Sequence, residues 1–242
     1  MFLTCNVKEV KLKQAFVSWS GGKDCCLACY LAMADGLKIQ YLANMLTEDG
    51  THSRTHGLSA EMLQLQSQAV GIPLLQRKAT WGTYEDEFKK LLHSFKQQGI
   101  SDGVFGDIDL DEHREWIERV CHTADIIPHL PLWGKRQDEI LRHFISLGFE
   151  AVVVATKADM LGEEWLGKKI DLDFINQLTE LSKMSNITPC GEAGEYHTLV
   201  VDGPIFQNHM EILETAKTLR DGHWFLEIVK ADLRSNLGAA GR

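Results

Sequence analysis

A short polar loop, Ser20-Gly21-Gly22-Lys23-Asp24, follows an apolar run at 15–19 and combines two adjacent glycines with a lysine and an aspartate. Adjacent glycines let backbone N–H groups approach an anion, because no Cβ stands in the way. The helical pattern that begins at Asp24 predicts amide groups pointing at that anion. Lys23 adds a mobile positive charge, whereas Asp24 repels phosphate unless Mg²⁺ lies between them. The loop therefore predicts a nucleotide site with a metal ion, against the simpler alternative of a tight strand-to-helix turn.

A second polar segment, Gly106-Asp107-Ile108-Asp109, places carboxylates between a predicted strand and a predicted helix. Asp107 could serve the metal ion that Asp24 implies, or these charges could only complement the dipole of the helix. Arg114 and Glu118 lie four residues apart on that helix, so they could form an ion pair or reach substrate. The spacing leaves both alternatives open.

A third segment, 190–198, carries two glycines, two carboxylates, a cysteine, a tyrosine and a histidine directly before a predicted strand. Polar loops at strand ends often carry function, so we expect a substrate-binding loop here. A nucleophilic Cys190/His197 pair and a purely structural glycine turn are the alternatives.

The elements that must position these loops alternate between strand and helix. We predict strands at 15–20, 39–46, 73–77, 103–107 and 126–130, and helices at 24–34, 59–70, 84–98 and 111–123. Strands joined by helical crossovers form a parallel sheet, which binds ligands beyond the carboxyl ends of its strands. The segments 20–24, 44–47 and 106–109 all follow strands, so we expect them to meet in one crevice.

The pattern becomes less regular after the proline-containing segment 128–133. Helices at 135–147 and 171–185 and strands at 149–156, 197–201 and 223–230 indicate a second α/β lobe. We therefore predict a nucleotide-binding domain at 1–133 and a substrate-binding domain at 134–242.

Composition narrows the possible partners. The 242 residues include 25 lysines and arginines against 34 acidic residues, a formal charge of −9 that disfavours broad binding to DNA, RNA or anionic membranes. The apolar runs are too short to span a bilayer, and the six scattered cysteines fit a reducing compartment. We expect a cytoplasmic protein. Cys25, Cys26 and Cys29 are expected to be reduced helix residues. His52 and His56 lie four residues apart but in a predicted loop, so the spacing of helical metal ligands does not apply to them.

The chain resembles the PP-loop ATP pyrophosphatases, whose signature is S-G-G-x-D-S, and within them the diphthine–ammonia ligase family. The first loop alone would indicate only a PP-loop nucleotide site. The narrower resemblance rests on the blocks Gly106-Asp107-Ile108 with Glu118, Pro131-Leu132-Trp133, Trp165-Leu166-Gly167, the segment 190–198, Gly203-Pro204-Ile205-Phe206 and Asp221-Gly222-His223-Trp224-Phe225. These blocks cover nearly the whole chain.

That resemblance implies a parallel-sheet N-terminal domain of the adenine nucleotide α-hydrolase-like (HUP) type, followed by a smaller family-specific α/β domain. It also implies an ATP-dependent amide ligase that forms an acyl-adenylate and pyrophosphate, and then transfers the acyl group to ammonia with release of AMP. The implied partners are ATP, Mg²⁺, a small or protein-borne carboxylate and free ammonia, with no DNA, no membrane and a possible homodimer.

The resemblance assigns each site residue a role. The nucleotide would be bound by Ser18, Ser20, Gly21, Gly22, Lys23, Asp24, Cys25, Met45, Gly106 and Asp107, with Asp24 holding Mg²⁺. The acyl substrate would be bound by Glu118, Cys190, Gly191, Glu192, Gly194, Glu195, His197 and Thr198. Lys23, Asp24, Glu192 and Glu195 would be catalytic.

The chain departs from the signature at Cys25, which stands where the family has serine. The backbone N–H is kept, but a hydroxyl ligand for phosphate or Mg²⁺ is lost. Two alternatives stay open: an ATP-binding regulatory module without turnover, and the same amidation on another small carboxylate, such as one of cobalamin salvage. A tRNA-modifying enzyme is disfavoured by the acidic charge.

Overall fold

The computed structural model describes residues 13–54, 56–183 and 185–235. Its first half is a five-stranded parallel sheet in the order β3-β2-β1-β4-β5. The strands are β1 Gln14–Ser18, β2 Lys38–Leu46, β3 Leu74–Lys78, β4 Asp102–Val104 and β5 Ile127–His129. The strand order reverses at β1, so its carboxyl end is where a parallel sheet opens a crevice. The predicted parallel α/β architecture is confirmed.

Helices α1 Lys23–Ala34, α2 Ala60–Val70, α3 Tyr84–Gln97 and α4 Asp111–Thr123 connect these strands. The central residues of β1, Ala15 to Val17, are fully buried, as expected for a strand covered by helices on both faces. The predicted strand 103–107 is too long. Strand β4 ends at Val104, and the next three residues turn toward the start of α1.

The second half contains α5 Gln137–Ser146, β6 Glu150–Lys157, a short 3-10 helix Glu163–Trp165 and α6 Leu172–Ser182. It continues with β7 Tyr196–Asp202, β8 Asn208–Arg220 and β9 His223–Ser235. These strands form an antiparallel sheet in the order β7-β6-β9-β8. Strand β8 was missed from the sequence, and α6 ends three residues before the predicted bound.

The two halves share one hydrophobic core, which runs from Ala15 in β1 through α5 and β6 to Leu226 in β9. Backbone contacts cross between them as well, because the Val200 amide donates to the Gly21 carbonyl at 3.0 Å. Among the described residues, no helix is both long and apolar enough to cross a membrane.

Candidate active site

The glycine loop, residues 20–24, packs closely against neighbouring side chains. Gly21 has φ +82°, and a Cβ there would lie 2.6 Å from Leu63 Cδ2. A Cβ at Gly22 would lie 2.7 Å from Cε1 of His56. Helix α1 begins at Lys23, directly after the two glycines, and the Lys23 amide donates to the Thr198 hydroxyl at 3.0 Å. The loop is therefore held between the first helix and the second half of the chain.

Lys23 does not provide the mobile charge expected from the sequence. Its side chain is 4% exposed, and its ammonium donates to Asp24 Oδ2 at 2.9 Å and to the Cys190 carbonyl. Burial is the largest single effect and opposes the charge, but Asp24, Tyr196 and Cys190 together outweigh it, so the pKa of Lys23 lies above its ordinary value. A buried ammonium needs such partners. Lys23 is a fixed cation that joins the glycine loop to the segment 190–198.

The acidic wall of the site consists of Asp24, Asp107 and Glu192. Burial raises the pKa of Asp24 more than Lys23 lowers it, and Asp107 adds to the rise. Burial also raises the pKa of Glu192 to about 7, with repulsion from Asp24, Asp107 and Asp109 contributing. Glu192 thus changes charge near neutral pH, which suits proton transfer.

The same carboxylates fit a cation. Asp24 Oδ1 is buried and has no hydrogen-bond partner among the described residues. Within the part of the chain that the structure describes, no group of three or more histidine, cysteine or acidic side chains forms a metal site by itself. A Mg²⁺ ion commonly uses one or two carboxylates together with phosphate oxygens. Asp24 and Asp107 therefore fit an ion that arrives with a nucleotide.

His56 packs against the glycine loop, and His197 packs against His56. The rings of His56 and His197 are tilted by 33° with centroids 4.4 Å apart. Burial lowers the pKa of His197 to about 4, and it lowers the pKa of His56 well below the usual value. Both imidazoles are neutral at pH 7, so they can donate or accept one hydrogen bond without adding charge.

These elements enclose a cleft of about 610 Å³. Most of the predicted site residues line it: Ser18, Ser20, Lys23, Asp24, Cys25, Met45, Gly106, Asp107, Cys190, Gly191, Glu192, Gly194, His197 and Thr198. The predicted convergence of loops after β1, β2 and β4 is therefore observed. Gly21 and Gly22 do not line the cleft themselves, but they let the loop pack closely against Leu63 and His56.

Two predicted residues lie elsewhere. Glu195 is fully buried, and its carboxylate accepts from the Thr188 amide at 2.6 Å and the Ala193 amide at 2.9 Å. Its oxygens are thus used to fold the segment 190–198. Glu118 is exposed and pairs with Arg114 at 2.7 Å, the structural alternative of the two considered. The structure does not bring either carboxylate to the cleft.

Cys190 and His197 both line the cleft, but they are not paired. The Cys190 thiol donates to the Gln137 carbonyl at 3.3 Å, and burial raises its pKa to well above the ordinary value. The imidazole of His197 instead packs on His56. A thiol in this state is a poor nucleophile.

Sequence reasoning missed several residues that line the cleft: Trp19, Arg54, His56, Trp81, Tyr84, His113 and Trp116. Most lie on the loop after β2 or the loop and helix after β3. The position of these segments after strand ends was the available signal, since parallel strands end at one edge of the sheet. Their side chains carry no recognisable spacing.

Two family models of known proteins together match most of the chain. The family model for the diphthamide synthase N-terminal domain matches residues 13–127, and that for the diphthamide synthase C-terminal domain matches residues 136–233.

Three similar proteins are each named diphthine–ammonia ligase. The rat protein is 29% identical, covering 83% of this chain and 82% of its own. The zebrafish protein is 30% identical over 83% of this chain and 86% of its own, and the human protein is 30% identical over 78% of each. A solved structure titled as a predicted subunit of tRNA methyltransferase from Methanocaldococcus jannaschii is 16% identical. It covers 80% of this chain and 98% of its own with a TM-score of 0.43, too partial a likeness to bear on function.

Proposed function

Because this chain belongs to the diphthine–ammonia ligase family, we propose that it is an ATP-dependent amide ligase. It would activate a carboxylate at the α-phosphorus of ATP, release pyrophosphate, and pass the acyl group to ammonia with release of AMP. The diphthine of the named relatives is the first carboxylate to test, and a small free acid is the alternative.

One observation carries this proposal: the glycine loop and the segment 190–198 form two walls of a single cleft. They are tied together by Lys23, whose amide donates to Thr198 and whose ammonium donates to the Cys190 carbonyl. A ligase that activates a carboxylate must bring that group to the phosphate-binding loop. The contact between these two walls supports an acyl group entering beside the nucleotide.

The side chains divide into three roles. The loop 20–24 would hold the pyrophosphate portion of ATP, because preorganised donors stabilise the charge that develops on a leaving group. Asp24, with Asp107 opposite, would hold Mg²⁺, which neutralises phosphate charge when bound. Glu192 would accept a proton from the attacking amine, since its pKa of about 7 leaves it partly ionised at neutral pH.

An ATP/pyrophosphate exchange assay with candidate carboxylates tests the first half of the reaction. We expect labelled pyrophosphate to enter ATP only when the carboxylate and Mg²⁺ are present, and Asp24→Asn to reduce exchange. AMP should accumulate when ammonium is added. ADP as the sole nucleotide product would contradict the proposal, whereas tight ATP binding without AMP release for any carboxylate would favour a regulatory module.

A cytoplasmic location and a homodimer are further parts of this proposal. The acidic balance of the chain and the free thiols of the five described cysteines support the first. Imaging of a tagged chain in cells tests the location, and light scattering on the purified protein tests the dimer.

A further inference from the structure

Arg54 is a cation of the cleft without an acidic partner. Lys23, the other strongly basic side chain lining this cleft, is already paired with Asp24. Arg54 forms no ion pair with any described residue, and its Nε atom is buried without a hydrogen-bond partner. A guanidinium has five N–H donors, so an unpaired buried donor marks capacity for a ligand.

The arginine is held in place from three directions. Its backbone amide donates to the Met45 carbonyl at 3.0 Å, at the end of β2. Its Nη1 donates to the Ala79 carbonyl at 2.9 Å, and its guanidinium carbon lies 4.4 Å from the centre of the Trp81 ring. Little side-chain entropy then remains to be lost when an anion binds.

The side chain of Trp81 is unusually exposed for a tryptophan. The side chain is 70% exposed, although tryptophan normally buries most of its large apolar surface. Its ring contacts are Arg54 and, at 6.1 Å between centroids, Tyr84. A ring kept in solvent beside a cation fits a cation–π clamp that orients the guanidinium.

The charges around the cleft give such a residue a role in binding an anionic ligand. Asp24, Asp107 and Glu192 would repel phosphate or carboxylate, and Lys23 is neutralised by Asp24. Burial and the charge of Asp107 raise the pKa of Tyr84 to about 12, while Arg54 opposes that rise. Arg54 lines the same cleft as these carboxylates and carries the opposite charge.

We propose that Arg54, oriented by Trp81, is an anion-binding residue of the cleft that donates to an oxyanion through the guanidinium N–H groups that the Ala79 carbonyl does not use. This inference rests on the proposed function, in which both ATP and the acyl substrate bring oxyanions. Their shared chemistry is a planar or tetrahedral group with two or more anionic oxygens, which an arginine can bind through paired N–H donors.

Calorimetric binding of pyrophosphate, Mg-ATP and adenosine to the full chain tests this assignment. We expect Arg54→Gln to weaken pyrophosphate and Mg-ATP at least about tenfold and to leave adenosine unchanged, since a hydrogen bond to a charged group is lost. The affinity of Arg54→Lys should lie between those of wild type and Arg54→Gln, because lysine keeps the positive charge but not the paired N–H donors of the guanidinium. The matched control is Arg77→Gln, whose partner is Glu87 at 3.7 Å on the surface.

A second arm separates the two sources of the anion. If Arg54→Gln binds pyrophosphate and Mg-ATP normally but needs about ten times more carboxylate for half-maximal pyrophosphate exchange, Arg54 binds the acyl substrate. Trp81→Ala should weaken the same ligand by a smaller factor, and Trp81→Phe should restore part of it. Wild-type affinities in Arg54→Gln together with an unchanged carboxylate requirement would overturn the inference. Absence of exchange in the wild-type protein with normal pyrophosphate binding would instead contradict the proposed ligase.

Discussion

Cys25 stands at the position where the family signature has serine, and its thiol takes over part of the expected geometry. It donates to the Gly22 carbonyl at 3.2 Å and accepts from the Ser20 hydroxyl at 3.5 Å. Burial alone would raise its pKa, but hydrogen bonds from Cys26, Ser20 and Gly21 outweigh burial and the pKa ends below the ordinary value. The thiol thus keeps hydrogen bonds between the first turn of α1 and the loop residues Ser20 and Gly22.

This difference predicts selective alkylation, because the thiolate is the reactive form. The pKa values of the other described cysteines (Cys26, Cys29, Cys121 and Cys190) are all raised. Iodoacetamide should modify Cys25 before these four, and ATP should slow the reaction. Peptide mass spectrometry measures both effects, with Cys25→Ser as the control. Earlier modification of a different described cysteine, or no protection by ATP, would count against this prediction.

Glu192 sets a pH dependence for the amine step. Its carboxyl has a pKa of about 7, so it is mainly protonated at pH 6 and mainly ionised at pH 8. A general base works in the ionised form, so amide formation should rise as pH increases through 7. The rate is measured from pH 6 to 8 at a constant concentration of unprotonated ammonia.

Glu192→Gln should lower the rate roughly 10²-fold or more and remove that rise, as is usual for loss of a general base. Pyrophosphate exchange should change much less, because it precedes amine attack. An unchanged pH profile in Glu192→Gln would assign the proton transfer to another group.

At the scale of elements, the site depends on the β4–α4 connection packing against the start of α1. A Cβ at Gly106 would lie 2.9 Å from the carbonyl carbon of Asp24 and from the nitrogen of Cys25. Gly106→Ala should therefore push the connection away from the loop. We expect a loss of about 1–3 kcal/mol in the free energy of unfolding, typical of overpacking, together with weaker ATP binding.

Urea denaturation and calorimetry measure these two effects. Gly82→Ala is the control, because the nearest atom to its new Cβ, Thr80 Oγ1, is 3.8 Å away. Equal free energies of unfolding for Gly106→Ala and wild type would contradict this prediction, because the β4–α4 connection would then have shifted without loss of stability.

Strand β8 was missed because hydrophobic periodicity does not identify a strand whose residues are mostly exposed on both faces. Its residues from Leu213 to Arg220 are exposed, so they lack the alternation that one buried face would impose. A signal did exist in Asp221-Gly222, both with positive φ, of 50° and 74°. Asp-Gly between two extended segments is typical of a two-residue hairpin turn.

Across the whole molecule, Gln66 connects both halves to the glycine loop. It is fully buried on α2, and its amide donates to the Gly21 carbonyl at 3.0 Å and the Val200 carbonyl at 2.7 Å. It also accepts from the Trp19 indole at 2.8 Å. A single side chain thereby satisfies polar groups of Trp19 just after β1, of Gly21 in the loop and of Val200 in β7.

Gln66→Ala should destabilise the protein by about 2–3 kcal/mol, because it leaves buried polar groups without partners. We expect one cooperative unfolding transition for wild type and variant, since the halves share a core. Urea unfolding followed by circular dichroism and tryptophan fluorescence measures this, with exposed Gln68→Ala on the same helix as the control. Two separate transitions would show that the halves fold independently.

The sequence by itself determined the features that depend on neighbouring residues. The glycine loop, the alternation of strand and helix, and the placement of polar loops after strands follow from local backbone freedom and hydrophobic periodicity. Those patterns were sufficient to predict the parallel sheet and the polar loops that meet at the cleft.

Only the tertiary structure decided how individual side chains are used, because their partners lie far away along the chain. Lys23 is fixed by Cys190 across 167 positions, and Arg54 meets Trp81 only after β2 and β3 pair. Glu195 lies three residues from Glu192, yet one carboxylate folds the loop and the other lines the cleft. Charge and residue type were visible in the sequence, but burial and partner choice depend on how the two halves pack.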